Sequence, residues 1–179
     1  MFQKNALSVS FMLLSFIISM IVSQIDSFAQ QKIRIGIYDS RAIALAYFNS
    51  GYAKKMQDIV MKLQLENAKA LEAKDSLKSK KLIREGQLRQ AILHEQGFGT
   101  GSVKECLAAI KDKVQKFAQS EKIDLIVSKW ELNYSSSQFE IVDITEQLAN
   151  LFEPNKRFKD TLKDLLKSEP IKDAYLIED

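Results

Sequence analysis

One cysteine, one histidine, one tryptophan and two prolines are all that this chain of 179 residues contains of those types. A lone Cys106 excludes an internal disulfide, so the fold must hold by packing or by assembly. A lone His94 excludes a metal site built on a His pair, and none of the HExxH, CxxC, GxSxG or Walker patterns occurs. No proline precedes Pro154, so nothing of that kind interrupts helices in the first three quarters of the chain. Charge is mild, at +3, and does not call for a nucleic-acid partner; few aromatics stand in the basic region to stack on bases.

The one strongly apolar run is short. Residues 11–22, FMLLSFIISMIV, follow Lys4 and lead to SQIDSFA, with Ser27 and Ala29 as the small residues of a cleavage site. That layout predicts a signal peptide at 1–29, cleaved after Ala29, and hence export. An uncleaved N-terminal anchor in the inner membrane is the alternative, although spanning a bilayer takes ~20 apolar residues.

KIRIGIY at 32–38 alternates Ile33, Ile35 and Ile37 with Lys32, Arg34 and Gly36, the period of a strand. Asp39 or Ser40 then caps a helix beginning at Arg41. A helical region follows, with Tyr52, Met56, Ile59 and Leu63 as a seam and Leu82, Leu88, Ala91 and Ile92 as a second apolar face. Between Val103 and Phe117 the apolar spacing predicts one further helix, opened by a Ser102/Glu105 capping box. Strands are expected near 123–130 and 138–142, then a helix capped by Asp143 and Glu146, and after Pro154 a last amphipathic helix.

Strands at both ends of a helical stretch impose a geometric condition. Were residues 52–96 one outgoing helix, it would travel ~65 Å, and the helix after it would return only ~28 Å, at 1.5 Å per residue. The chain must therefore reverse earlier, between Asp75 and Gly86. The fold class expected is α+β: a small antiparallel platform from both chain ends carrying a helical hairpin, or coiled-coil arm, over about 42–121. The platform core is expected from Ile33, Ile35, Ile37, Leu125, Val127, Phe139 and Ile141. Three strands bury too little to stand alone, which favours a homo-oligomer.

Charge is unevenly placed. Lys54–Lys122 carries 15 basic and 9 acidic residues, a net +6, while Asp143–Asp179 carries 6 basic and 9 acidic, a net −3. Lys78, Lys80, Lys81 and Arg84 cluster near the expected reversal and are candidates for contact with a client protein or an anionic membrane surface. Met56, Met61, Leu63 and Leu65 offer soft apolar surface nearby, Met56 and Leu63 reading also as seam residues. Gly97, Phe98, Gly99 and Gly101 read as a joint between helices; the alternative is a phosphate-binding loop. A Cys106–His94 nucleophile pair is conceivable, but Cys106 sits beside Leu107 on an apolar face. No enzymatic activity and no cofactor are expected.

KIRIGIYDSRAIA, and still more DLIV, NYSSS and DITEQL within residues 122–152, resemble the opening and closing segments of the Skp/OmpH-like periplasmic chaperones. The resemblance implies a domain over 30–153; the residues beyond the last family helix, 154–179, read as an acidic helical tail that departs from the family's pattern. The resemblance also implies a trimer whose strands form a small barrel with helical tentacles, acting as an ATP-independent holdase or envelope-assembly factor for unfolded outer-membrane proteins. A structural adaptor docking one folded partner is the alternative of a different class.

Overall fold

The computed structural model describes residues 32–176. The leader read at 1–29 lies outside the described residues. The chain divides into Met1–Ile33 and Arg34–Asp179, and the fold below is that of the second unit. No helix among the described residues is long and apolar enough to cross a membrane.

The class is α+β. Strand β1 (Ile33–Tyr38) is central, flanked by β2 (Leu125–Ser128) and β3 (Phe139–Asp143). Here the expected antiparallel platform is corrected. β1 and β2 run parallel, with Ile35 opposite Leu125 and Tyr38 opposite Ser128. Contacts to β3 climb in the same sense: Arg34 bonds Glu140 at 3.1 Å, the Ile37 carbonyl accepts from the Ile144 amide, and the Asp39 amide donates to Thr145 Oγ1.

Helix α1 (Ser40–Phe48) lies directly after β1, capped by Asp39, whose carboxylate accepts from the Arg41 amide at 3.0 Å. A 3-10 turn, Gly51–Ala53, leads into α2 (Lys54–Glu72), which pairs with α3 (Ser76–Gly97) as a two-helix hairpin. Asn67 accepts from Ser79 Oγ at 2.8 Å near the reversal. The reversal itself is only Ala73–Asp75: Lys74 takes a left-handed conformation (φ 53°) and Asp75 caps α3 through the Lys78 amide. Gly86 does not turn the chain; it lies inside α3.

The single helix expected after Ser102 is two, α4 (Lys104–Ala108) and α5 (Lys111–Ser120). The Ala109 amide reaches Cys106 O, and that of Ile110 reaches Leu107 O, so the last turn of α4 tightens and then breaks. This bend keeps Val103, Cys106 and Ile110 all buried against α1. Neither capping box forms as expected: Ser102 Oγ accepts from Lys104 and Asp143 from Thr145, each two residues on.

Helices α6 (Thr145–Asn150) and α7 (Lys156–Leu165) complete the layer over the sheet. Leu148, Phe152, Phe158 and Leu162 join Ala42, Ile43 and Ala46 in one core, so the segment after Pro154 is part of it. That tail is not acidic in balance: 154–179 has six acidic and six basic side chains.

Alternation divides the sheet residues cleanly. Tyr38, Ile126 and Val142 face the helices and belong to the core. Gly36 shares that face, where an added Cβ would stand 2.6 Å from Ile144 Cδ1, so its lack of a side chain lets the sheet approach closely. Ile33, Ile35, Ile37, Leu125, Val127, Phe139 and Ile141 all lie on the other face, and none belongs to the core cluster. Ile35, in the central strand, is buried, but Ile33 and Leu125 are 50% and 53% exposed, and Ile141 is exposed as well. The expected platform core is thus an apolar face that the described helices do not cover.

Gly86 has open space around its α-carbon in the middle of a helix. Gly86→Ala should therefore stabilise the chain by about 1 kcal/mol, from helix propensity alone, measured by urea unfolding. An unchanged or lower midpoint would argue against a continuous α3.

Candidate functional site: strand-end ion cluster, helix joint and hairpin surface

Three strands end at one edge of the sheet, and their next residues meet there. Asp39 follows β1, Lys129 and Trp130 follow β2, and Thr145 lies just beyond β3. Asp39 is fully buried and Arg41 nearly so. Arg41 holds Asp39 in a fork, Nε to Oδ1 at 3.1 Å and Nη2 to Oδ2 at 2.7 Å, while Lys129 Nζ reaches Oδ2 at 2.9 Å. Both cations also lie against the Trp130 ring, Lys129 Nζ at 4.3 Å and Arg41 Cζ at 5.3 Å from its centre. Burial would push the Asp39 carboxyl up, but the hydrogen bonds and charges of Arg41 and Lys129 outweigh it and hold the group below its ordinary range.

This cluster ties β1 to β2 and β3 at their ends. Nothing in it resembles a reacting pair: its one carboxylate is committed to two cations and a backbone amide. Sequence reading finds Asp39 only as a cap and passes over Arg41, Lys129 and Trp130. Asp39 and Arg41 sit two residues apart, yet Lys129 meets them only through the strand pairing.

The glycine loop resolves as a joint between α3 and α4. The amides of Phe98 and Gly99 donate to His94 O and that of Gly101 to Glu95 O, so they turn inward instead of converging on an anion. That geometry disfavours the phosphate-loop alternative. Added Cβ atoms at Gly99 and Gly101 would stand 3.1 Å and 2.8 Å from the Glu95 carbonyl oxygen, which is why glycine is needed where the loop folds back on α3. The C-terminal segment closes over this joint: Ile171 N donates to Phe98 O at 2.8 Å and Tyr175 N to Glu95 Oε1 at 3.1 Å. Gly97 closes α3, and the Phe98 ring, half exposed, lies 5.8 Å from that of His94. Cys106 is buried in the core, and burial first, then Glu105, pushes its thiol up to about 11, leaving it protonated at neutral pH.

Lys78, Lys80, Lys81 and Arg84 are all exposed on the first turns of α3, beside the reversal. Exposed apolar side chains accompany them along the hairpin: Met61, Leu65, Leu71, Leu77, Ile83, Leu88 and Ile92. Met56 and Leu63 are half-buried, as seam residues should be, but Leu88 and Ile92 turn outward, because α3 packs on α2 through Arg89 and Leu93. Shallow grooves of about 320 and 360 Å³ flank that seam, the first lined by Met56, Leu88 and Ile92, the second by Val60, Leu63 and Gly86.

Compared with protein families, curated proteins and solved structures, the chain matches none.

Removing the Asp39 carboxylate strands two buried or half-buried cations, so Asp39→Ala should cost about 3–5 kcal/mol at pH 7. Because the folded-state value is depressed, this contribution is present above the ordinary value of 3.8 and is lost as pH falls through the lower folded value. Urea unfolding of wild type and Asp39→Asn against pH should show their gap narrowing only below about pH 4. A gap that stays constant to pH 2 would contradict the cluster.

Proposed function

We propose that the chain is an exported, ATP-independent holdase or envelope-assembly factor. In this reading it works as a homo-oligomer, a trimer as in the family it resembles. It holds unfolded proteins by many weak contacts along its hairpins. The observation that carries the reading is the surface of α2 and α3, where seven large apolar side chains stand exposed among lysines and arginines. A folded chain that kept this surface bare would carry a patch that normally marks a binding site. Met61 and the leucines make adaptable contacts, and the cluster of Lys78, Lys80, Lys81 and Arg84 attracts acidic segments or an anionic membrane surface from a distance.

The uncovered sheet face supports assembly. β2 and β3 are both edges, and Ile33, Leu125 and Ile141 stand exposed between them. Other copies would cover the face and pair the edges, which closes a sheet most simply into a barrel. The hairpins then act as arms around a client. The resemblance of the opening and closing segments to Skp/OmpH-like chaperones supports the same arrangement, and the leader layout supports export. The adaptor alternative, in which short arms and the tail dock one folded partner, differs in predicting a single stoichiometric partner in a pull-down.

Light scattering of an outer-membrane barrel protein diluted from urea tests this. The chain should keep the client soluble without nucleotide. Leu77→Ser, Leu88→Ser and Ile92→Ser together should weaken capture about tenfold, or ~1.4 kcal/mol, with the fold intact. No protection by the wild-type chain would remove the proposal.

A further inference from the structure

A cleft of about 320 Å³ opens at the carboxyl ends of β1 and β2, on the helix-facing side of the sheet. Its walls join Tyr38 and Ser40, Ser128 and Glu131, and the stretch from Thr100 to Lys104. The reading above gives it no role. Crevices at the carboxyl ends of parallel strands are recurrent ligand sites, because strands and helices leave room there and loops supply polar groups.

The lining is unusual in its hydroxyls. Tyr38, Ser40, Thr100, Ser102 and Ser128 all line it beside the apolar Val103, Leu107 and Ile126. The Ser102 and Ser128 hydroxyls already accept from the amides of Lys104 and Trp130 and so are left to donate. Ser40 is decisive. It is 1% exposed, and its buried Oγ has no hydrogen-bond partner among the described residues. Buried hydroxyls are normally paired, and an unmade bond is a standing cost that a ligand can relieve. Charge at the rim is balanced, with Lys104 on one side and Glu131 on the other, both exposed. The Glu131 carboxylate is close enough to Tyr38 that it adds to burial in pushing the phenol up, so the phenol stays a neutral donor.

We propose that this cleft binds a neutral polyhydroxylated molecule of monosaccharide size. A sugar hydroxyl both donates and accepts, which suits serine, threonine and tyrosine hydroxyls together. Glu131 takes a pair of ring hydroxyls, Lys104 donates to an oxygen, and the apolar side chains take the C–H face of the ring. A phosphate fits poorly, since Glu131 would repel it and the Gly101 amide is spent on Glu95 O.

The test is NMR of the ¹⁵N-labelled chain with D-glucose and N-acetylglucosamine, and with glycine and inorganic phosphate as comparators. A sugar should shift the amides of Gly101, Ser102 and Lys104 and receive saturation from the protein. Ser40→Ala breaks no internal hydrogen bond, so it should fold as wild type and bind about tenfold more weakly. Glu131→Gln, on the exposed rim, gives a second variant with the same expected loss. No shift with either sugar overturns the proposal. So does stronger binding of phosphate or glycine, or sugar binding that neither variant weakens. None of these results bears on the holdase assay.

Discussion

A three-stranded sheet has two faces, and the helices described here cover one. Everything else in the account follows from that imbalance. Tyr38, Ile126 and Val142 pack under α1 and its neighbours, while the aliphatic residues one position away look outward. Fully burying a large apolar side chain contributes roughly 1.5–3 kcal/mol. On the outward face Ile33, Leu125 and Ile141 stay exposed, so a covering surface would gain by burying them. Both outer strands also keep a free edge, so this gain and the means of pairing lie on the same element.

Ionic groups fix this sheet at both ends. Arg34 bonds Glu140 and the Glu121 carbonyl, and its amide meets Asp124, at the start of the strands. Asp39, Arg41 and Lys129 close the other end. Buried ion pairs give little net stability compared with apolar packing, but they penalise every wrong register. Here a slip of one residue in β2 would exchange its apolar face with its core face and carry Lys129 away from the Asp39 carboxylate. The cluster thus determines which residues look outward, and through them how copies would meet.

Much of this was legible in the sequence. The period of KIRIGIY placed β1, and the distance argument forced a reversal well before the glycine loop. Ile33, Ile35, Ile37, Leu125, Val127, Phe139 and Ile141 share one face, because alternation marks a face whatever covers it, but they are not the core of the described fold. Strand direction was not legible: alternation in short strands is the same for either sense. The reversal falls at the Asp75 end of the expected range, set by Lys74 in a left-handed turn where glycine is the usual signal, and not at Gly86. The break at Ile110 was hidden as well, since its spacing fits a straight helix and only the core bends it. Ser40, Ser128 and Glu131 carry no local signal, and pairing of distant strands brings them to one cleft.

Assembly through the face that the described helices leave uncovered is the claim on which the chaperone reading stands, and sedimentation velocity of the purified chain at micromolar concentration tests it most directly. The account predicts a single species of three times the chain mass, reduced to smaller species when Leu125→Lys places a charge on the exposed part of that face. A well-folded monomer in the wild-type chain would contradict it.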